Sequence, residues 1–344
     1  MINFHNLKRP ELSHLIASWG GSGVHARRLW RYLYHEQITS LDSLAELPAR
    51  LTERLRAEAT LTGLNVVRET RTDDGSTRKY LLAFADGAEV ETVQMRYQRE
   101  RVTACLSSQV GCALGCVFCA TGQLGFTRGL TAAEIVAQAL FVSRSLRATN
   151  ERLTNLVLMG MGEPLLNYDA VLTALEILHD PGSLSIGAKQ ITISTVGVIP
   201  GIVRLADERR PYSLAVSLHA ANQTERLALV PAARPWPLDE LMEGCRYYTE
   251  KLQQKIFFEW TLIEGKNDSP GQARELAELL ADIPAQVNLI PLNPTAGFGG
   301  QPGDSSAVAE FREVLRSRGI PSSVRQRRGI DIAAGCGQLA GTRH

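Results

Sequence analysis

A chain of 344 residues exceeds what one small domain needs and suits a large α/β core with an appendage. Its 44% apolar and 21% charged residues, with no apolar run of roughly eighteen, exclude a disordered chain and one that crosses a membrane on helices. The net charge of +1 gives no overall attraction to nucleic acid, so any such partner must be held by local basic clusters.

The first stretch, MINFHNLKRPEL, has polar and charged residues within its first ten and no small-residue cleavage site, which predicts no secretory signal and a cytoplasmic address. In that reducing compartment the six cysteines are expected as ligands, reactive thiols or buried small residues rather than as a disulfide framework. From Leu12 to Glu58 apolar residues recur three and four apart, with breaks at Gly20, Gly21, Gly23 and Pro48. Residues 1–65 are therefore predicted as a small helical accessory domain that binds RNA. Within it Arg27, Arg28 and Arg31 are interleaved with Trp30, Tyr32 and Tyr34, which suits either phosphate contacts beside stacking surfaces or a solvated basic face around core aromatics.

Residues 66–101 read as a β-hairpin linker: KYLLAF, a turn at Asp86 and Gly87, then VETVQMRY. In residues 102–344, apolar runs alternate with helical patterns: VTACLS before a helix from Ala132, NLVLMG before one from Ala170, then ITIST, YSLAVSL, IFFEWTL and VNLIPL, with a last short run at Ser322. Continuous apolar strands separated by helices predict an α/β fold, a parallel sheet closed or partly closed as a barrel, with functional residues just after the strand C-termini. GFGGQPGDSS, residues 297–306, reads as a loop.

After the first of these strands, GCALGCVFCATG sets Cys112, Cys116 and Cys119 in one glycine-rich loop. Structural zinc generally takes four ligands, and neither a second cysteine pair nor a nearby histidine completes this set. Inert packing thiols are the second alternative, yet cores are rarely built in such loops. A four-iron cluster fits better, because three thiolates leave one iron open to an outside ligand.

The spacing CxxxCxxC resembles the cluster loop of radical S-adenosylmethionine (SAM) enzymes. That resemblance implies a [4Fe-4S] cluster whose open iron is chelated by SAM, cleavage of SAM to a 5′-deoxyadenosyl radical, and a partial (β/α)6 barrel. CLSSQVGC (105–112), GMGEPLLN (160–167), STVGVIP (194–200), SLHA (217–220), NLIPLNP (288–294) and DIAAGCGQLAG (331–341) resemble the RlmN and Cfr family, RlmN more closely, over about Val90 to Gly341. The family implies methylation of an adenine of 23S ribosomal RNA at the peptidyl-transferase centre, at carbon 2 in RlmN and carbon 8 in Cfr, with transfer RNA a further substrate of some RlmN proteins. It also implies a soluble monomer served by an electron-donor protein such as flavodoxin or ferredoxin.

By the same resemblance Cys336 matches the cysteine that carries the methyl group, Cys105 the resolving cysteine that releases the product by forming a disulfide with it, and Glu91 the proton acceptor, with Glu89 its neighbouring competitor. Gly162, Glu163, Ser194, Ser217, Leu218, His219 and Asn293 match the SAM contacts. Two departures stand out: the Glu91-to-Cys105 spacing is one residue longer than in RlmN, and AAGCGQL replaces the usual AACGQL. Cys245, on a helix face with Leu241 and Tyr248, reads as core. RNA phosphates are expected at Arg325, Arg327 and Arg328, with Arg96, Arg99 and Arg101 adding to the patch. The competing functions are a Cfr-like carbon 8 enzyme conferring antibiotic resistance, toward which RRGIDI leans; a radical activase, which would need the cluster loop alone; and a non-catalytic RNA-binding protein, against which the cysteine set argues.

Overall fold

Residues 1–340 are described by a computed structural model, so Gly341, the last residue of the C-terminal motif, lies outside the described residues. The chain forms one ten-stranded sheet whose strands lie side by side in the order of the sequence. Its strands are β1 (Asn65–Arg71), β2 (Thr77–Ala83), β3 (Glu89–Arg96), β4 (Val102–Cys105), β5 (Asn155–Leu158), β6 (Ile191–Thr195), β7 (Ser213–Ser217), β8 (Ile256–Leu262), β9 (Ala285–Pro291) and β10 (Ser322–Val324). From β4 to β10 every neighbouring pair is parallel, and β1 to β4 are antiparallel.

The parallel part reproduces the predicted alternation. Helices α4 (Ala132–Arg147), α5 (Tyr168–His179), α6 (Ile199–Asp207), α8 (Leu238–Leu252), α9 (Pro270–Leu279) and α10 (Ser305–Ser317) connect successive strands, while α7 (Gln223–Leu229) is a short extra helix after β7. Their starts are written in the sequence. Thr131 accepts the Glu134 amide at 3.2 Å while Glu134 accepts the Thr131 amide at 2.8 Å, so two orphan donors of α4 are satisfied reciprocally. Leu156, Ile193, Leu214, Phe258 and Leu289 are buried, which explains why these strands read as apolar runs, and each such side chain contributes on the order of 1.5–3 kcal/mol.

One expectation is corrected and one open alternative is decided. The presumed two-stranded linker is a three-stranded antiparallel meander, joined to the barrel by the β3–β4 pairing. The extra strand, β1, lies mostly in solvent and so lacks the alternation by which a half-buried strand is recognised. In the N-terminal domain, built on α1 (Arg9–Ser18), α2 (Gly23–Arg31) and α3 (Ala49–Glu58), Trp30, Tyr32 and Tyr34 are buried. They are core, not platforms for bases. Beside them Arg28 is ion-paired with Glu46 and Arg31 with Glu36. Cys245 is fully buried on α8, as expected.

The longer Glu91-to-Cys105 spacing leaves both strands regular, since the register runs unbroken from Val93 opposite Cys105 to Arg96 opposite Val102. The turn at 97–101 absorbs the extra residue, with Arg99 and Glu100 at φ of 59° and 57°.

Candidate active site: two cavities joined at Cys336

Parallel strands deliver their C-terminal ends to one rim, and there the structure brings together most of the predicted residues. The cysteine loop lies between two short strands, Gln109–Gly111 and Phe126–Gly129, that pair antiparallel. Gly111 adopts φ of 75° against the Gly125 carbonyl, an approach that any Cβ would block. The loop is tied inward by the Val117 amide donating to Leu229 O at 3.1 Å and the Ala120 amide to Gly337 O at 2.7 Å.

Cys112, Cys116 and Cys119 line one cavity of about 150 Å³, together with Gly162, Glu163, Ser194, Ser217, His219 and Asn293. Leu218 is the exception: its side chain is buried in the core and its amide donates to Glu259 O at 3.1 Å. Among the described residues no three Cys, His, Asp or Glu side chains converge tightly enough to hold a single metal ion. A cubane asks for something different, thiols spread over the corners of a larger body. Three thiols on one wall, backed by buried Leu114, Phe118, Val196 and Leu292, fit that group. Burial pushes the Cys112 thiol up to about 11 and Cys116 higher still, which iron, by deprotonating its thiol ligands, would reverse.

Glu163 follows β5 in a buried turn, where its carboxylate accepts the Val196 amide at 2.9 Å and the Leu165 amide at 3.0 Å. Burial raises it to about 7 despite these bonds. Gly162, at φ of 99°, lets the turn pass Gln109, which a Cβ there would meet at 2.5 Å. His219 is buried edge-on to Phe118, and its Nδ1 accepts the Thr261 amide at 3.0 Å. The other ring nitrogen therefore carries the proton, and burial lowers the imidazole to about 3, so it stays neutral.

A second cavity, of about 370 Å³, fills the barrel lumen. Cys105 lines it from the end of β4, with Tyr97, Arg101, Arg325, Arg327 and Arg328 also on its wall. Arg101 and Arg328 stack on Tyr97, their guanidinium carbons 3.8 and 4.6 Å from the ring centre. Arg96, by contrast, is spent on Glu151 at 2.8 Å. Cys336 lines both cavities. The residue as a whole is exposed, but burial of its thiol in this recess pushes its ionisation upward, opposed by the nearby Arg325 guanidinium. Asn293 Nδ2 donates to Cys336 O at 3.1 Å, and the additional glycine explains how they approach, because a Cβ on Gly335 would lie 2.7 Å from that same nitrogen. Cys105 and Cys336 are both free thiols, so the disulfide implied by the resemblance is not formed in this state.

Glu91 lies elsewhere. Its carboxylate lines neither cavity, but is ion-paired with Lys79 at 3.0 Å and accepts the Ala340 amide at 2.8 Å, clasping the C-terminal segment to the meander. The carboxylate that does face both cavities is Glu259 on β8, which sequence reasoning missed. One oxygen accepts from Asn288 at 2.8 Å and Arg325 at 3.2 Å; the other is buried without a partner. The signal was a lone charged residue inside the apolar run IFFEWTL, since an acid is almost never buried without a reason.

Three cysteines brought to one cavity at a barrel rim are what a radical SAM enzyme requires, and the Radical SAM superfamily profile matches residues 106–280. The chain is 53% identical to the dual-specificity RNA methyltransferase RlmN 1 of Myxococcus xanthus, over 99% of this chain and 94% of that protein. It is 54% identical to a probable dual-specificity RNA methyltransferase RlmN 2 of Opitutus terrae, over 98% and 86%. The crystal structure of a radical SAM methyltransferase from Sphaerobacter thermophilus superposes with a TM-score of 0.95 at 44% identity, covering 99% of this chain and 100% of that one. The chain belongs to the RlmN family of radical SAM RNA methyltransferases.

Proposed function

We propose that this enzyme methylates carbon 2 of an adenine in 23S ribosomal RNA, and of transfer RNA as well, with Cys336 as methyl carrier and Cys105 as resolving thiol. The observation that carries the reading is the position of Cys336, on the boundary between the cysteine-lined cavity and the lumen that holds Cys105 and the arginines. The dual-specificity names of the relatives support both RNA substrates.

Cys112, Cys116 and Cys119 would hold the cluster, which with SAM supplies a methyl group and one-electron chemistry at a carbon too poor a nucleophile for direct displacement. Glu163 would take the SAM ammonium, the neutral His219 presents an N–H, and Ser194, Ser217 and Asn293 complete the polar wall. Tyr97, Arg327 and Arg328 at the lumen mouth hold the RNA backbone. Glu259, which lines both cavities and keeps one carboxylate oxygen without a partner, is positioned to accept a proton from the modified base. Glu91 could do so only once Ala340 and Lys79 release it. Cys105 then attacks the Cys336 sulfur, so that an S–S bond replaces the bond from sulfur to the transferred carbon, which leaves as the protonated methyl.

Adenosines from ribosomal and transfer RNA of cells with and without the gene, separated by mass spectrometry, should differ in 2-methyladenosine. A difference in 8-methyladenosine alone would overturn the carbon assignment, and no difference would overturn the function.

A further inference from the structure

Arg226, on α7, is completely buried. Its guanidinium has only partial company: one nitrogen donates to Trp236 O at 3.0 Å, another to Val196 O at 2.6 Å, and Nε has no partner. No carboxylate pairs with it among the described residues, and burial lowers it only to about 10, so it remains a cation. Buried charge is ordinarily tolerated only when an opposite charge compensates it. Glu225 beside it on the same helix is no such partner, since its carboxylate accepts from Gln272 Nε2 at 3.1 Å.

What lies around Arg226 is the cysteine loop. Leu229, one helical turn on, accepts the Val117 amide from the middle of that loop at 3.1 Å. Val196, held by the guanidinium, packs in one apolar cluster with Cys112, Leu114 and Phe118, against which Cys116 and Cys119 also rest. The same Val196 donates its amide to Glu163. Cys116 and Cys245 are the thiols close enough to act on the Arg226 charge. Cys245, from α8, is kept neutral by burial, which pushes it up to about 12.

We propose that the missing counter-charge is the iron-sulfur cluster, and that Arg226 is a positioning residue that raises the cluster's reduction potential from behind the loop. The inference rests on the reading that Cys112, Cys116 and Cys119 hold a [4Fe-4S] cluster. Three thiolates outweigh the charge of an oxidised cubane, so the assembly is a net anion, and one electron from an external reductant makes it more so. A fixed cation in an apolar surround therefore stabilises the reduced form more than the oxidised one, and does so without touching SAM or RNA.

The test is a potentiometric titration, followed by electron paramagnetic resonance, of the full chain reconstituted anaerobically with iron and sulfide. Arg226→Met should bind the cluster but show a reduced-to-oxidised ratio about tenfold lower at a fixed poise, about 59 mV for a one-electron couple. Arg226→Lys keeps a charge and should stay within about threefold of the parent. Should Arg226→Met not fold, Arg226→Gln, which retains a donor for the two carbonyls, is read in its place. A charge-deleted variant with an intact cluster and the parent's potential would overturn the proposal. So would failure of both neutral variants to fold without metal, which would assign Arg226 to its carbonyl ties alone. Failure of the parent to bind iron and sulfide would instead overturn the cluster reading.

Discussion

The two cavities that meet at Cys336 have opposite walls. On the rim side the three cysteines are backed by Leu114, Phe118, Val196 and Leu292, an apolar surround that strengthens every charge inside it. On the lumen side Asn155, Gln190, Asn288, Glu259 and the arginines offer hydrogen bonds and positive charge. A water-poor chamber suits one-electron chemistry, and a polar one suits a nucleobase with its phosphate. Under the proposed function the contrast gives a carrier its purpose: Cys336, on the shared boundary, would be loaded from one chamber and unloaded in the other.

The comparison can be broken at Glu259, where the largest of these effects is expected. Glu259→Gln replaces the one carboxylate residue that lines both chambers among the described residues and should lower turnover by about 10²-fold, whereas Glu91→Gln should cost about a few-fold by loosening the Ala340 clasp. Single-turnover rates on RNA would check this; the reverse ranking would return the proton acceptor to Glu91.

On the rim side, Glu163 gives a pH signature. Because burial raises it to about 7, SAM binding should weaken up to about tenfold for each pH unit below that value, measured by equilibrium binding on reconstituted protein. Glu163→Gln should flatten the profile. The sign for stability is opposite: the folded, ligand-free chain holds a proton here that the unfolded chain has released, so this group's contribution falls as pH rises from the ordinary carboxyl range to about 7. His219 acts in the opposite direction: its buried ring stays neutral while the unfolded chain's imidazole takes up a proton, so its contribution rises with pH from about 3 to the ordinary imidazole range.

The smallest effect belongs to the lumen mouth. Arg327→Ala and Arg328→Ala should each weaken RNA binding a few-fold and reduce the dependence of affinity on salt by about one counter-ion, read from binding isotherms at several salt concentrations. An unchanged salt slope would move the RNA path away from Tyr97.

Much of this was legible in the sequence because it depends on short-range patterning. β4 to β9 are apolar runs, and the cysteine loop, Gly162–Glu163 and His219 follow strand ends, so their convergence comes with parallel topology. What escaped depends on tertiary context. β1 carries no buried face to betray it. Trp30, Tyr32 and Tyr34, in and just after α2, alternate with arginines in a way that fits either a stacking surface or a core, and only burial decides. Glu91 has a strong local motif but a carboxylate captured by a backbone amide some 249 residues on, while Glu259 and Arg226 are single charges whose neighbours come from other elements.

The central claim is that Cys336 passes a carbon across the boundary and Cys105 releases it. The direct measurement is mass spectrometry of Cys105→Ala protein incubated with SAM, a reductant and RNA, then digested with protease and nuclease. The account predicts an adenosine joined through one carbon to the peptide containing Cys336. Free methylated RNA at the parent's rate, or an adduct on any other residue, would contradict it.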